Sequence, residues 1–319
     1  MTGTTVAVLV EHRGNEIAHP TLEALTLART LGTPVAVWMG EEPPVDAVAL
    51  LGAYGADEVR VLALGEAARL VTVAAAAVHG ATADADVILM VSTFVNKEIA
   101  TRLALATGAG VVVDAAGAEA VDGRIEAVQT VFAATWNVRT RINAERAIVA
   151  LRPNTTQAVE ALTRGAAAVV PVLVALPTTR ESVDLVTAVE RPAGVPLSEA
   201  AVVVAGGRGT SGDYTLVREL ADMLGGAVGA SRDATDEGWI GHEHMVGQTG
   251  ATVTPALYVA CGISGAVHHR GGMQASGTIV AVNMDPDAPI FEIADFGVVG
   301  DLNDVLPQAV AAIREHRQA

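Results

Sequence analysis

Cysteine is nearly absent: among 319 residues there is one, Cys261. That excludes an intramolecular disulfide and any iron–sulfur or structural zinc site built from cysteines alone. Set in an apolar strand, Cys261 reads as a buried, inert thiol rather than a reactive one. Aromatic residues make up only 3%, so alanine, valine and leucine must fill whatever core the chain builds. Basic residues are outnumbered, 20 against 36 acidic ones, for a net charge of −16. Nucleic acid is therefore excluded as a partner, because its phosphates demand a basic face. The charge suits a soluble protein that meets basic patches on its partners. The longest apolar run, Ala166 to Leu176, is broken by Pro171, so no membrane insertion is expected. The opening MTGTTVAVLVEHRG lacks the basic flank of a signal peptide and the Arg/Ser-rich pattern of a transit peptide, and a prokaryotic, cytoplasmic protein is expected. Catalytic signatures are missing too: there is no GxSxG, HExxH or GK[ST], and no carboxylate pair at acid/base spacing.

What is present is an alternation of strands and helices. Thr5–Val10, Val35–Trp38, Glu58–Leu62 and Asp86–Val91 are apolar runs separated by alanine-rich helical segments. In the first of these helices Pro20 suits the N1 position, Leu22, Leu25 and Ala28 share a face, and Gly32 suits a C′ residue. Runs that are continuously apolar imply strands covered on both faces, hence a parallel sheet between helices. From Gly110 onward Val111–Val113, Arg124–Phe132 and Ala147–Leu151 follow with little helix between them, which predicts a β-rich edge. The proline-interrupted ERPAGVPLSE marks a linker around Arg191 to Ser198. The expected organisation is α/β in two domains: residues 1–193 a parallel-sheet domain with a β-rich edge, residues 198–319 a doubly wound domain. The second opens with strand Ala201–Ala205, continues through helix Tyr214–Leu224 and strands Ala227–Ala230, Ala256–Ala260 and Thr278–Val282, and closes with helix Leu302–His316.

Several constellations in the second domain bear on chemistry. Gly207, Gly209 and Gly212 form a GxGxxG between strand and helix. A plain βα turn and a dinucleotide loop are both open here, and the latter would make the chain an NAD(P)-dependent dehydrogenase. Ser231 and Arg232 follow a strand, where a permanently charged guanidinium either faces an anionic ligand or pairs with Asp233 or Asp236. Gln248, Thr249 and Gly250 are turn formers. Ser264, Gly265 and Ala266 are small residues at a helix start, where backbone N–H groups can approach a pyrophosphate. The adjacent His268 and His269 point to different sides of a helical turn and have no cysteine or carboxylate set nearby, so no metal is expected. Asn283 suits a turn cap, and Asp301 an N-cap for the last helix.

The order and spacing of SRDATDEGW, VGQTG and LYVACGISGAVHHRGGMQASGTIVAVN resemble the FAD-binding signature of the electron-transfer flavoprotein alpha subunit. The resemblance is strongest from about Ala201 to Gln308. It implies an electron carrier without substrate chemistry of its own, with FAD as cofactor. Arg208, Ser231, Arg232, Gln248, Thr249, Gly250, Ser264, Gly265, His269, Asn283 and Asp301 then bind the cofactor. Arg232 lies against the flavin ring, Thr249 near its N5, and His269 donates toward a ring carbonyl and, if protonated, adds positive charge. Asn283 and Asp301 serve the adenosine half. Implied partners are a beta subunit that carries AMP and completes a heterodimer, acyl-CoA dehydrogenases of fatty acid β-oxidation as donors, and a quinone reductase as acceptor. Two positions depart from the family pattern: His268 stands where glutamine is usual, pointing elsewhere, and Arg270 where an apolar residue is usual.

Overall fold

The computed structural model describes residues 3–132, 134–162, 165, 167–187 and 195–318. The chain divides into two compact units, Met1–Gln129 with Asn137–Glu190 and Thr130–Trp136 with Arg191–Ala319. Of the linker expected from sequence, residues 191–194 lie outside the described residues.

The first unit contains β1 (Thr5–Leu9), the short β2 (His12–Arg13) and β3 (Glu16–Ile17), α1 (His19–Leu31), β4 (Thr33–Met39), α2 (Val45–Ala53), β5 (Glu58–Leu62), α3 (Val71–Ala81), β6 (Val87–Val91), α4 (Phe94–Thr107), β7 (Gly110–Val121), β8 (Arg124–Val131), β9 (Trp136–Arg141), β10 (Ala147–Leu151) and β11 (Ala168–Pro171). Its nine-stranded sheet runs β11-β5-β4-β1-β6-β10-β7-β8-β9. Alternate residues of the central strands feed two cores. Val6, Val8, Leu89 and Val149 meet α1 and α2 through Leu25, Ala28 and Leu51. Ala7, Leu9, Ile88, Met90 and Ile148 meet α3 and α4 through Ala77, Val78, Ile99 and Leu103. Continuous apolar strands thus serve two helical layers at once.

The β-rich edge is present. β7 pairs in parallel with β10 at its start and antiparallel with β8 further on. Asp122 and Gly123, at φ 48° and 76°, form the tight turn between β7 and β8. One local expectation needs correcting. Gly32 is not a left-handed C′ residue; its backbone is extended, and glycine is required because a Cβ there would run into the Thr4 carbonyl.

Glu23, on α1, is the one acidic side chain among the buried polar residues of the described chain. Its Oε2 accepts the Asn154 backbone N–H at 2.8 Å, where the chain leaves β10. Burial outweighs the hydrogen bonds from residues 154–156 and pushes its pKa from 4.5 up to about 7. The folded state thus holds this proton where the unfolded chain has released it. The associated stability is complete below pH 4.5 and is lost as pH rises through 7. A shift of that size corresponds to about 3 kcal/mol. Glu23→Gln keeps an acceptor oxygen and removes the titration. Thermal melts of the variant should therefore be flatter between pH 4.5 and 7 than those of the wild type, and an equally steep dependence would show that Glu23 does not control it.

The second unit holds β12 (Val202–Gly206), α5 (Thr215–Leu224), β13 (Ala227–Ala230), α6 (Arg232–Asp236), β14 (Leu257–Cys261), α7 (Val267–Met273), β15 (Thr278–Asn283), β16 (Phe296–Val299) and α8 (Leu302–Gln318). All neighbours in the order β13-β12-β14-β15-β16 are parallel. Val217 and Leu220 of α5 and Leu306 and Val310 of α8 cover Val204, Val259 and Val282 on one face. Val203, Tyr258, Ala260 and Ala281 pack against Val246, Met273 and Ile290 on the other. The chain leaves β12 first for β13 and then crosses back to β14. Successive connections therefore diverge between β12 and β14, which is where an open parallel sheet leaves a crevice at its carboxyl edge.

Candidate functional site

A cavity of about 700 Å³ opens at that carboxyl edge. Each of the five strands of this sheet contributes residues at or just beyond its carboxyl end: Arg208 after β12, Ser231 and Arg232 after β13, Ser264, Ala266, His268 and His269 after β14, Asn283 at the end of β15 and Asp301 after β16.

The two loops nearest the switch point interlock through backbone. Gly207 N–H donates to the Cys261 carbonyl at 2.9 Å, and Gly209 N–H to the Gly262 carbonyl at 3.0 Å. A Cβ on Gly209 would stand 2.6 Å from Cα of Gly262. Gly212, at φ 87°, turns the chain beside Trp239, and α5 begins only at Thr215. The first two glycines of the GxGxxG are therefore small because another loop passes over them, and their N–H groups are already engaged. Neither of these two glycine amides is left for a pyrophosphate, and the dinucleotide reading of the motif finds no support in them.

The loop after β14 is different. Among the described residues, the backbone N–H groups of Ser264, Gly265, Ala266, Val267 and His268 meet no acceptor. The loop is held in place from outside. Asn283 Nδ2 donates to the Ile263 carbonyl at 2.9 Å, while its Oδ1 accepts from Asp285 N–H at 3.0 Å. Ile290 N–H donates to the Ser264 carbonyl at 3.0 Å. Gly265, at φ 83°, lies against the Ile290 backbone and is not itself part of the cavity lining. A fixed run of unengaged N–H groups at a helix start is an anion cradle.

His269 is 6% exposed yet faces the cavity. Its Nε2 lies 2.9 Å from the Tyr258 hydroxyl, and its Nδ1 has no hydrogen-bond partner among the described residues. Burial lowers its pKa from 6.5 to about 4, opposed by smaller pulls from the Val246 backbone and Asp233. At neutral pH the imidazole is therefore neutral. A neutral ring adds no positive charge, so what it offers is hydrogen bonding.

The rim carries the charge. Arg208 pairs with Asp233 and Arg232 with Asp236, each at 3.1 Å. Exposed pairs of this kind contribute little to stability, so both guanidiniums stay available to a ligand. Ser231 caps α6 through the Ala234 N–H, and Asp301 caps α8 through the Asn303 N–H. Gln248, Thr249 and Gly250 are exposed and lie outside the lining. They adjoin it through His268: Gln248 N–H donates to the His268 carbonyl, and the two side chains meet at 2.9 Å. His268 does not point elsewhere, as expected from sequence; it lines the cavity and ties the turn to α7. Arg270 reaches Glu292 at 2.8 Å and fastens α7 to the turn after β15. Tyr258 went unremarked in the sequence; the available signal was a lone hydroxyl in an aliphatic strand.

Two family descriptions match the chain: Electron transfer flavoprotein domain over residues 6–177, and Electron transfer flavoprotein FAD-binding domain over residues 196–274. The chain is 41% identical to the electron transfer flavoprotein subunit alpha of Mycobacterium leprae (strain TN), over 97% of this chain and 98% of the relative. Identity to the subunit alpha of Bacillus subtilis (strain 168) is 36%, over 96% of each chain. With that of Thermoanaerobacterium thermosaccharolyticum it is 57% over 123 residues, 38% of this chain and 37% of the relative.

Proposed function

The chain belongs to the electron transfer flavoprotein alpha-subunit family, and we propose which of its residues hold FAD and which partners it serves. It is an electron carrier with FAD as cofactor. When bound, the flavin supplies reversible uptake and release of electrons. The residues present fit such a group: among the described residues, one buried imidazole nitrogen lacks a partner and five consecutive N–H groups lack acceptors.

In the proposed arrangement the loop of Ser264 and Gly265 receives the pyrophosphate, and Asn283 and Asp301 serve the adenosine half. Arg208, Ser231, Arg232 and His269 serve the flavin half, with Gln248, Thr249 and Gly250 at its edge. Arg232 supplies fixed positive charge and His269 a hydrogen bond. The run of free N–H groups after β14 is the observation that carries this reading. The exposed turn at residues 248–250 supports a second subunit closing over that side, so the chain works as a heterodimer with an electron transfer flavoprotein beta subunit that carries AMP. The pair operates in the bacterial cytoplasm, accepting electrons from acyl-CoA dehydrogenases of fatty acid β-oxidation and passing them to a quinone reductase. No helix among the described residues is long and apolar enough to cross a membrane.

Co-production with the beta subunit tests this. The purified pair should be yellow, carry FAD, and be bleached by an acyl-CoA dehydrogenase with its substrate. A colourless pair that takes up no FAD would overturn the cofactor site. FAD held as tightly by the chain alone would overturn the dependence on a partner.

A further inference from the structure

Tyr258, on β14, has no solvent exposure and does not line the cavity, yet its hydroxyl meets His269, a buried side chain that does. A phenol and a neutral imidazole share two exchangeable protons, and the site constrains where each sits. If Nε2 of His269 held the ring proton, it would donate to the phenol oxygen. The Tyr258 proton would then be buried, with no other acceptor among the described residues. No ligand in the cavity could relieve it, and Nδ1 would present a bare lone pair. If Tyr258 donates to Nε2 instead, the ring proton sits on Nδ1. The one unsatisfied donor is then Nδ1–H, on a ring that lines the cavity.

We infer that Tyr258 is a positioning residue that holds His269 as its Nδ1–H tautomer, so that the imidazole offers FAD a hydrogen-bond donor. This rests on the reading that FAD fills the cavity. Its chemical consequence is selective: the contact strengthens as the facing acceptor gains negative charge, which happens to a flavin on reduction. The two rings pack edge to face, with centroids 6.0 Å apart.

The experiment uses the heterodimer, ¹⁵N-labelled at histidine, in FAD-loaded and FAD-stripped forms. Long-range ¹H–¹⁵N spectra distinguish the protonated ring nitrogen from the bare one. Wild-type His269 should show protonated Nδ1 in both forms, with Nδ1 moving on FAD loading. Tyr258→Phe keeps the ring and removes the donor; it should shift the tautomer toward Nε2–H and weaken FAD retention about tenfold, the size of one lost hydrogen bond. A wild-type ring that responds to FAD but carries its proton on Nε2 overturns the inference and leaves the FAD site standing. Resonances of His269 indifferent to FAD overturn both. The wild-type spectrum decides even if the variant fails to fold.

Discussion

Gly262→Ala should release FAD from the heterodimer and destabilise the second unit by roughly 2–4 kcal/mol. Two costs combine at this position. Gly262 sits at φ 62°, where an L side chain is strained, and a Cβ would stand 2.6 Å from Cα of Gly209. That neighbour is backbone, so no side chain can swing away, and the interlocked loops must part. Gly225 separates the two costs. At φ 67° it ends α5 with nothing within 4 Å of a built Cβ, so Gly225→Ala carries only the conformational cost of about 1 kcal/mol and should retain FAD. Denaturant unfolding of both variants, with bound flavin measured by absorbance, checks this. Equal effects would show that the loop contact is looser than it looks.

Arg232→Ala should lower the reduction potential of bound FAD by about 60 mV per 1.4 kcal/mol of lost charge stabilisation. Reduction adds negative charge to the site, and Arg232 is a fixed cation lining it. The structure sharpens the expectation, because Asp236 lies 3.1 Å from the guanidinium and partly offsets it. Asp236→Asn should consequently raise the potential, opposite in sign. Arg232→Lys should restore only part, lacking the planar fork. A redox titration giving the same potential for wild type and Arg232→Ala would remove Arg232 from the flavin environment. Opposite shifts from two residues of one ion pair are a signature that general loosening of the fold does not produce.

Much of the fold was legible because its strands are buried on both faces. Glu58–Leu62, Ala147–Leu151 and Ala227–Ala230 coincide with the observed strands, since a continuous apolar run has few other places to go. β9 was not legible. Its WNVRTR buries neither face and is exposed along nearly all its length, and Arg139 and Arg141 pair with Glu119, Asp122 and Glu126. Such a strand is specified by its neighbours rather than by its own pattern. β16 and β11 are only four residues long, too short for periodicity to register. Within the site, the types of residue were legible but not their directions. That Arg232 has a carboxylate partner follows from spacing, with Asp236 four residues on, whereas the pairing of Arg208 with Asp233 depends on the fold. That His268 ties down a turn while its neighbour is buried depends on where α7 starts, and only the packing of Gly271 and Gly272 against Gln248 and Gly247 decides it. The GxGxxG misled for the same reason: small residues are needed wherever backbones touch, whatever the cause.

Cys261 ends β14 with no exposure, one residue before the loop junction, and burial pushes its pKa up to about 12. The molecule thus carries a single built-in clock at the point its site depends on most. An alkylating reagent has no other thiol to consume and reaches this one only when the second unit opens. Labelling rate therefore reports the opening equilibrium directly, without a mutation or an attached probe. Any ligand that binds the closed form alone slows the clock in proportion to its occupancy.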